Sequence, residues 1–200
     1  MVLQLLDILG VFVFAVSGAL VAVRKEMDLF GMFVLAFLPA VGGGTLRDLI
    51  LDMPVFWVAE TSYLFAVGAA VLVVFFGYRL ISDGSRLLTW MDATGLAVFC
   101  VLGCQKALGA GVGNVVAVMM GVMTAVAGGI IRDVVANDIP YVLKQEIYAT
   151  AALFGALAYV VLNTNVGPLS IWIAIVIALL VRAAGIIWGL SLPTLHHRKS

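Results

Sequence analysis

Seven apolar runs occupy most of this 200-residue chain, and they limit its fold more than any other feature. They are Leu3–Val23, Leu29–Leu51, Tyr63–Tyr78, Trp90–Ala107, Val112–Ala136, Ile147–Leu162 and Leu169–Leu190. A helix needs about 20 mostly apolar residues to cross about 30 Å of hydrocarbon. Backbone inside lipid must also satisfy its own hydrogen bonds, which a helix does. With 64% of residues hydrophobic and only 11% charged, the chain lacks the polar surface of a water-soluble domain; such domains carry roughly 25% charged residues. The sequence therefore reads as an all-α polytopic membrane protein of seven transmembrane helices, with one membrane domain over residues 1–200. Eleven basic and eleven acidic residues balance to zero, so nothing marks a nucleic-acid-binding surface.

Orientation follows from where the lysines and arginines fall. Odd-numbered connections hold Arg24, Lys25, Arg79, Arg86 and Lys144, and the tail adds Arg198 and Lys199. The other side offers only Arg47 and Lys106, both within span ends. This places the amino terminus outside and the carboxyl terminus in the cytoplasm. The first run has no positive leading segment and is too long for a signal peptide, so it reads as a retained span. Short turns, Gly109–Gly113 and Asn163–Pro168, join neighbouring spans. Cys100 and Cys104 share one helix face, a spacing that suits neither a disulfide nor a metal site, and they read as small packing residues. His196 and His197 lie in a polar tail without further ligands, so no metal site is expected.

The chain also overlays itself under a shift of 85 residues. Asp7 falls on Asp92, Gly10 on Gly95, Phe14 on Phe99 and Gly18 on Gly103. The segment Val41-Gly42-Gly43-Gly44-Thr45-Leu46-Arg47-Asp48 meets Val126-Ala127-Gly128-Gly129-Ile130-Ile131-Arg132-Asp133. After one inserted residue Pro54 meets Pro140 and Glu60 meets Glu146. Repeat one covers about 3–80, repeat two about 88–164, and a seventh helix follows at about 168–190. Each repeat has three spans, so the second enters the membrane from the opposite side. Such inverted repeats recur in transporters and channels.

Two features of the repeat point to chemistry. The second span is apolar only from Leu29 to Val41, about 20 Å at 1.5 Å per residue. Gly42, Gly43 and Gly44 would then lie within the bilayer, each weakening a helix by roughly 1 kcal/mol. The sequence predicts a kink there and, more mildly because of Ala127, at Gly128 and Gly129. The competing reading is that these glycines serve tight helix packing, the reading preferred for Gly185 and Gly189. Arg47 and Arg132 are costly in hydrocarbon and need a partner or a water-filled cavity. Asp48 and Asp133 should point away from their own arginines, because sequence neighbours do not face each other on a helix. Antiparallel packing instead predicts that Asp7 neutralises Arg47 and that Asp92 neutralises Arg132, directly or through one water. That leaves Asp48 and Asp133 to attract cations or brace the kinks. Lys106 is a further candidate for the same path.

These paired motifs, Gly-Gly-Gly-Thr-Leu-Arg-Asp at 42–48 and Gly-Gly-Ile-Ile-Arg-Asp at 128–133, resemble those of the trimeric intracellular cation channels in their short prokaryotic form. An older name for that group is the glycine-transporter domain family. The resemblance covers essentially the whole chain. It implies a homotrimer in a prokaryotic cell membrane, with a pore in each protomer lined by the second and fifth spans. It further implies passive permeation of monovalent cations, chiefly potassium, with no cofactor beyond the permeant ion and bound lipid. The animal members' cytoplasmic tail is missing after Leu195. The alternative function is a secondary transporter of a small zwitterion such as glycine, whose carboxylate an arginine would bind. No Ser-His-Asp or Cys-His set is present, so an enzyme is not expected.

Overall fold

The computed structural model describes residues 2–80, 84–144 and 147–191. Glu146, His196, His197, Arg198 and Lys199 lie outside the described residues. The apolar runs become helices, and two single-turn helices appear where prolines interrupt the chain. In order, these are α1 (Val2–Arg24), α2 (Leu29–Ile50), α3 (Phe56–Ala59), α4 (Ser62–Gly77) and α5 (Gly84–Gly109). They continue as α6 (Asn114–Val135), α7 (Tyr141–Lys144), α8 (Ala149–Val166) and α9 (Leu169–Trp188). Six of these are long and apolar enough to cross a membrane. The third expected span, α4, has 16 residues and reaches only about 24 Å. The expected turn over Asn163–Pro168 is also corrected. Helix α8 continues through it to Val166, and the chain reverses at Gly167, whose φ of 56° suits glycine.

Helix α1 and helix α5 are the most enclosed. α5 packs against α1, α6, α8 and α9, whereas α1 packs against α2, α4 and α5. Large apolar side chains such as Phe65, Phe76 and Val115 face outward, the reverse of a soluble core and the arrangement that lipid favours. Cys100 and Cys104 are buried and unbridged.

Contacts between the halves repeat under the same shift of 85. A side chain on Gly10 would press on Phe99, and one on Gly95 would press on Phe14. Those two rings stack at 5.3 Å between centroids. A Cβ on Gly43 would collide with the Thr124 carbonyl, and one on Gly128 with the Pro39 carbonyl. In both crossings the residue number rises on one helix as it falls on the other, so α1 meets α5, and α2 meets α6, antiparallel.

These contacts give the glycines a packing role and remove the expected helix breaks. α2 and α6 are continuous helices through Gly42–Gly44 and Ala127–Gly129. The 13-residue apolar segment was too short a measure of α2. Arg47 and Asp48 are satisfied inside the protein, so the helix runs past them for 22 residues, about 33 Å. The roughly 1 kcal/mol each glycine takes from helix propensity is offset by backbone-to-backbone packing that no other residue permits. Gly185 packs against the Ile147 side chain, while Gly189 caps α9 at φ 60°.

Candidate ion pathway

Two charged clusters lie four residues beyond the glycine crossing on α2 and on α6. Each begins with the way its helix ends. Asp52 and Asn137 take left-handed backbone at φ 53° and 55°, which Asp and Asn tolerate. The next amides fold back, Met53 to the Asp48 carbonyl and Asp138 to the Asp133 carbonyl, both at 2.8 Å. This reversal brings the following segment under the aspartate. Asp48 Oδ2 accepts the Phe56 amide at 3.0 Å and Asp133 Oδ2 accepts the Tyr141 amide at 2.9 Å. The aspartates therefore seat α3 and α7; they neither stand free for cations nor brace a kink.

Their other oxygen contradicts a second expectation. Arg47 Nε donates to Asp48 Oδ1 at 2.8 Å, and Arg132 Nε donates to Asp133 Oδ1 at 2.8 Å. Neighbouring Cβ directions on a helix diverge by about 100°. The long arginine stem reaches around that angle in the last turn.

In the first cluster Asp48 is the shared partner. Arg47 Nη2 lies 2.8 Å from Asp48 Oδ1, and Lys106 Nζ lies 3.1 Å from the same oxygen. Asp7 and Arg47 make no direct ion pair, since Arg47 is bound to Asp48. Asp7 Oδ2 accepts the Tyr63 hydroxyl at 2.9 Å. Asp7, Arg47 and Lys106 nevertheless line one recess of about 250 Å³, together with Gln4 and Gln105. Lys106 is the accessible member, its side chain 31% exposed, whereas Arg47 and Asp48 are buried.

In the second cluster Arg132 is the shared partner. Its Nη1 donates to Asp92 Oδ1 at 2.7 Å, the pairing that antiparallel helices predict, and to Ser17 Oγ at 3.0 Å. Arg132, Asp92 and Asp133 are all buried. A smaller recess of about 120 Å³, lined by Arg24, Asp133, Asp138, Tyr141 and Lys144, opens beside it. Aromatic rings cover both guanidiniums, Phe56 at 5.9 Å from Arg47 and Tyr141 at 5.6 Å from Arg132.

Sequence reasoning missed Ser17, Tyr63, Tyr148 and Arg182. The first three carry no signal that separates them from other polar residues in spans. Arg182 did carry one, as the single charge within an apolar 20-residue helix. It is buried, lies 4.9 Å from the Tyr148 ring and donates to the Ile147 carbonyl.

Comparison with known proteins follows the same division into halves. A family model described as glycine transporter matches twice, at residues 4–79 and 89–164. The UPF0126 inner membrane protein YadS of Escherichia coli K12 is 46% identical over 97% of this chain and 96% of its own length. A TRIC trimeric intracellular cation channel orthologue from Rhodobacter sphaeroides superposes with a TM-score of 0.90 at 46% identity, covering 94% of this chain and 99% of that one. A prokaryotic TRIC channel solved in 0.5 M KCl gives a TM-score of 0.91 at 31% identity, covering 96% and 99%. These structural relatives are channels, not enzymes. The chain belongs to the glycine-transporter domain family and has the all-helical membrane fold of the prokaryotic TRIC channels.

Proposed function

We propose that this protein is a channel for monovalent cations, chiefly potassium, and that it works as a homotrimer with a pore in each protomer. One observation carries the choice of channel over carrier: both arginines of the paired motifs are already bound to carboxylates. Arg47 is held by Asp48, and Arg132 by Asp92 and Asp133. Each guanidinium is already compensated by carboxylate, which leaves little attraction for the carboxylate of a zwitterion such as glycine and no uncompensated positive charge to face a passing cation. The structural relatives are described as cation channels, and one as trimeric.

In this reading the ion enters the recess beside Asp7 and Lys106 and leaves by the recess beside Asp133 and Asp138. Between them α2 and α6 touch backbone to backbone at Gly43 and Gly128, so conduction requires these helices to part. Gly42, Gly44 and Gly129 flank that crossing. The antiparallel crossings favour an inverted repeat of three plus three helices, with α9 as the seventh. Positive residues at the Lys25 end favour a cytoplasmic carboxyl terminus. No cofactor takes part.

Planar-bilayer recording of the purified protein in asymmetric potassium chloride tests this. Discrete currents reversing near the potassium equilibrium potential are expected. Absence of currents together with saturable, competable glycine uptake into vesicles would replace the channel with a carrier.

A further inference from the structure

Four aspartates serve the two clusters, and three of them are spent on cations of the protein itself. Asp48 holds Arg47 and Lys106, while Asp92 and Asp133 hold Arg132. Asp7 is the exception. Among the described residues it takes part in no ion pair, and its Oδ2 accepts a bond from a neutral group, the Tyr63 hydroxyl. Its counterpart Asp92 has no such freedom, being buried with Oδ1 2.7 Å from Arg132 Nη1.

The surroundings of Asp7 suit a partly dehydrated cation. Asp7 lines the recess of about 250 Å³ at the first cluster, together with Gln4 and Gln105. Gln4 precedes Asp7 by three residues and so shares its face of α1, while Gln105 comes from α5. Each glutamine carries a neutral amide oxygen that can accept. Carboxylate and carbonyl oxygens are the groups with which cation channels replace an ion's water. The two cations of the recess are already bound to Asp48, and Glu60, which accepts from Gln4 at 3.3 Å, adds a carboxylate at the rim. Asp7, Asp48 and Glu60 thus outnumber Arg47 and Lys106 at this mouth.

We propose that Asp7, with the amide oxygens of Gln4 and Gln105, forms a binding subsite for the permeant monovalent cation at this mouth. The subsite rests on the channel reading above and adds an inequality between the repeats. Tyr63 fixes one carboxylate oxygen of Asp7 and leaves the other for the ion. Asp92 is neutralised by Arg132 and cannot serve in the same way. The duplication therefore yields one such subsite, not two.

Single-channel recording in planar bilayers tests this by comparing the wild-type protein with Asp7→Asn, Asp7→Glu and Tyr63→Phe in potassium chloride. A unit charge about 6 Å from an ion in water changes its local concentration roughly threefold. Asp7→Asn, which can still accept from Tyr63, is expected to lower potassium conductance roughly threefold at low salt. At about 1 M salt, where screening is strong, the loss should be much smaller. Asp7→Glu should keep most of the conductance and Tyr63→Phe nearly all of it. Equal conductance in wild type and Asp7→Asn overturns the subsite while the channel stands. No current from the wild type overturns the channel reading, and the subsite with it. A loss reproduced by Tyr63→Phe makes Asp7 an anchor for the tyrosine and overturns the subsite. If Asp7→Asn does not assemble, Asp7→Cys decides, treated from the chamber facing the amino terminus. An anionic methanethiosulfonate reagent is expected to raise its conductance and a cationic one to lower it. Equal effects from the two reagents, or failure of this variant to assemble as well, would make the carboxylate structural and overturn the subsite.

Discussion

The two Arg-Asp clusters share a motif and a local fold, yet their charges are arranged in opposite ways. In the first, one carboxylate, Asp48, holds two cations, Arg47 and Lys106. In the second, one guanidinium, Arg132, holds two carboxylates, Asp92 and Asp133. The common part comes from each repeat's own residues: the helix end, the aspartate under the next amide, the ring over the arginine. The difference comes partly from the paired aspartates, since Asp92 reaches its arginine while Asp7 is bonded to Tyr63, and partly from residues with no charged or polar counterpart. Lys106 corresponds to Val21 under the shift of 85, and Ser17 corresponds to Leu102. Duplication preserved the scaffold of the two sites while the helices crossing them diverged. As a result the first site keeps a partly accessible cation facing its recess, whereas the second buries its ion pairs beside a smaller one.

Removing the arginines should break this comparison most sharply. Arg132→Met strands two buried carboxylates, and losing one side of a buried ion pair costs about 3–5 kcal/mol. Arg47→Met leaves Asp48 with Lys106 and the Phe56 amide, so its loss should be about half as large. Thermal unfolding in mild detergent, followed by size exclusion, measures both. Equal losses would mean that the shared partner does not govern the stability of either cluster.

The glycine crossing should behave symmetrically where the charges do not. Gly43→Ala and Gly128→Ala each push a methyl into a backbone carbonyl of the facing helix, an overpacking cost of about 1–3 kcal/mol. A side chain on Gly68 or Gly77 meets nothing within 4 Å, so alanine there should be neutral or slightly stabilising. The same unfolding assay checks all four. A large difference between Gly43→Ala and Gly128→Ala would show that the two halves of the crossing bear unequal load.

These outcomes also mark what the sequence could disclose. The apolar runs fixed helix positions to within a few residues in most cases, because lipid permits little else for such stretches. The shift of 85 located both charged motifs, and antiparallel depth matching placed Asp92 beside Arg132. The same argument brought Asp7 to the recess of Arg47 but not into a direct pair, since it could not foresee that Asp48 would hold both Arg47 and Lys106. A glycine that bends a helix and one that lets two helices touch look alike in a single chain. Only the facing Thr124 and Pro39 carbonyls distinguish them. The four-residue α3 and α7 are too short to show periodicity.

Conductance should sharpen the contrast through Lys106. Lys106→Met removes a positive charge from the recess and leaves Asp48 bound to Arg47 and the Phe56 amide, so folding should survive. A unit charge about 8 Å from an ion in water contributes about 0.5 kcal/mol. If the recess is the ion's entrance, potassium conductance in bilayers should rise roughly twofold, with less gain at high salt. Arg132, the cation at the centre of the second cluster, is buried. An unchanged conductance would move the ion path away from Lys106.

The smallest effect concerns a contact found at one end only. Lys25 Nζ and Asp138 Oδ1 meet at 2.9 Å, joining the α1–α2 connection to the end of α6. Their counterparts under the shift, Ala110 and Met53, cannot pair. The hydrogen bond from Lys25 holds the Asp138 carboxyl below the usual carboxylate range. A lowered folded-state pKa means the contribution is complete above the ordinary aspartate value, about 3.9. It is then lost as pH falls through the still lower folded value. The pair should therefore add the same stability at pH 5 as at pH 8 and fade only below about pH 4. Because both side chains are substantially exposed, it should contribute no more than about 0.5 kcal/mol even at low salt. Lys25→Ala should shift the unfolding midpoint barely at pH 7 and not at all at pH 2.5. A loss of several degrees at neutral pH would instead make this contact a clasp holding α2 against α6, and the two ends of the crossing would then differ in mechanics as well as in charge.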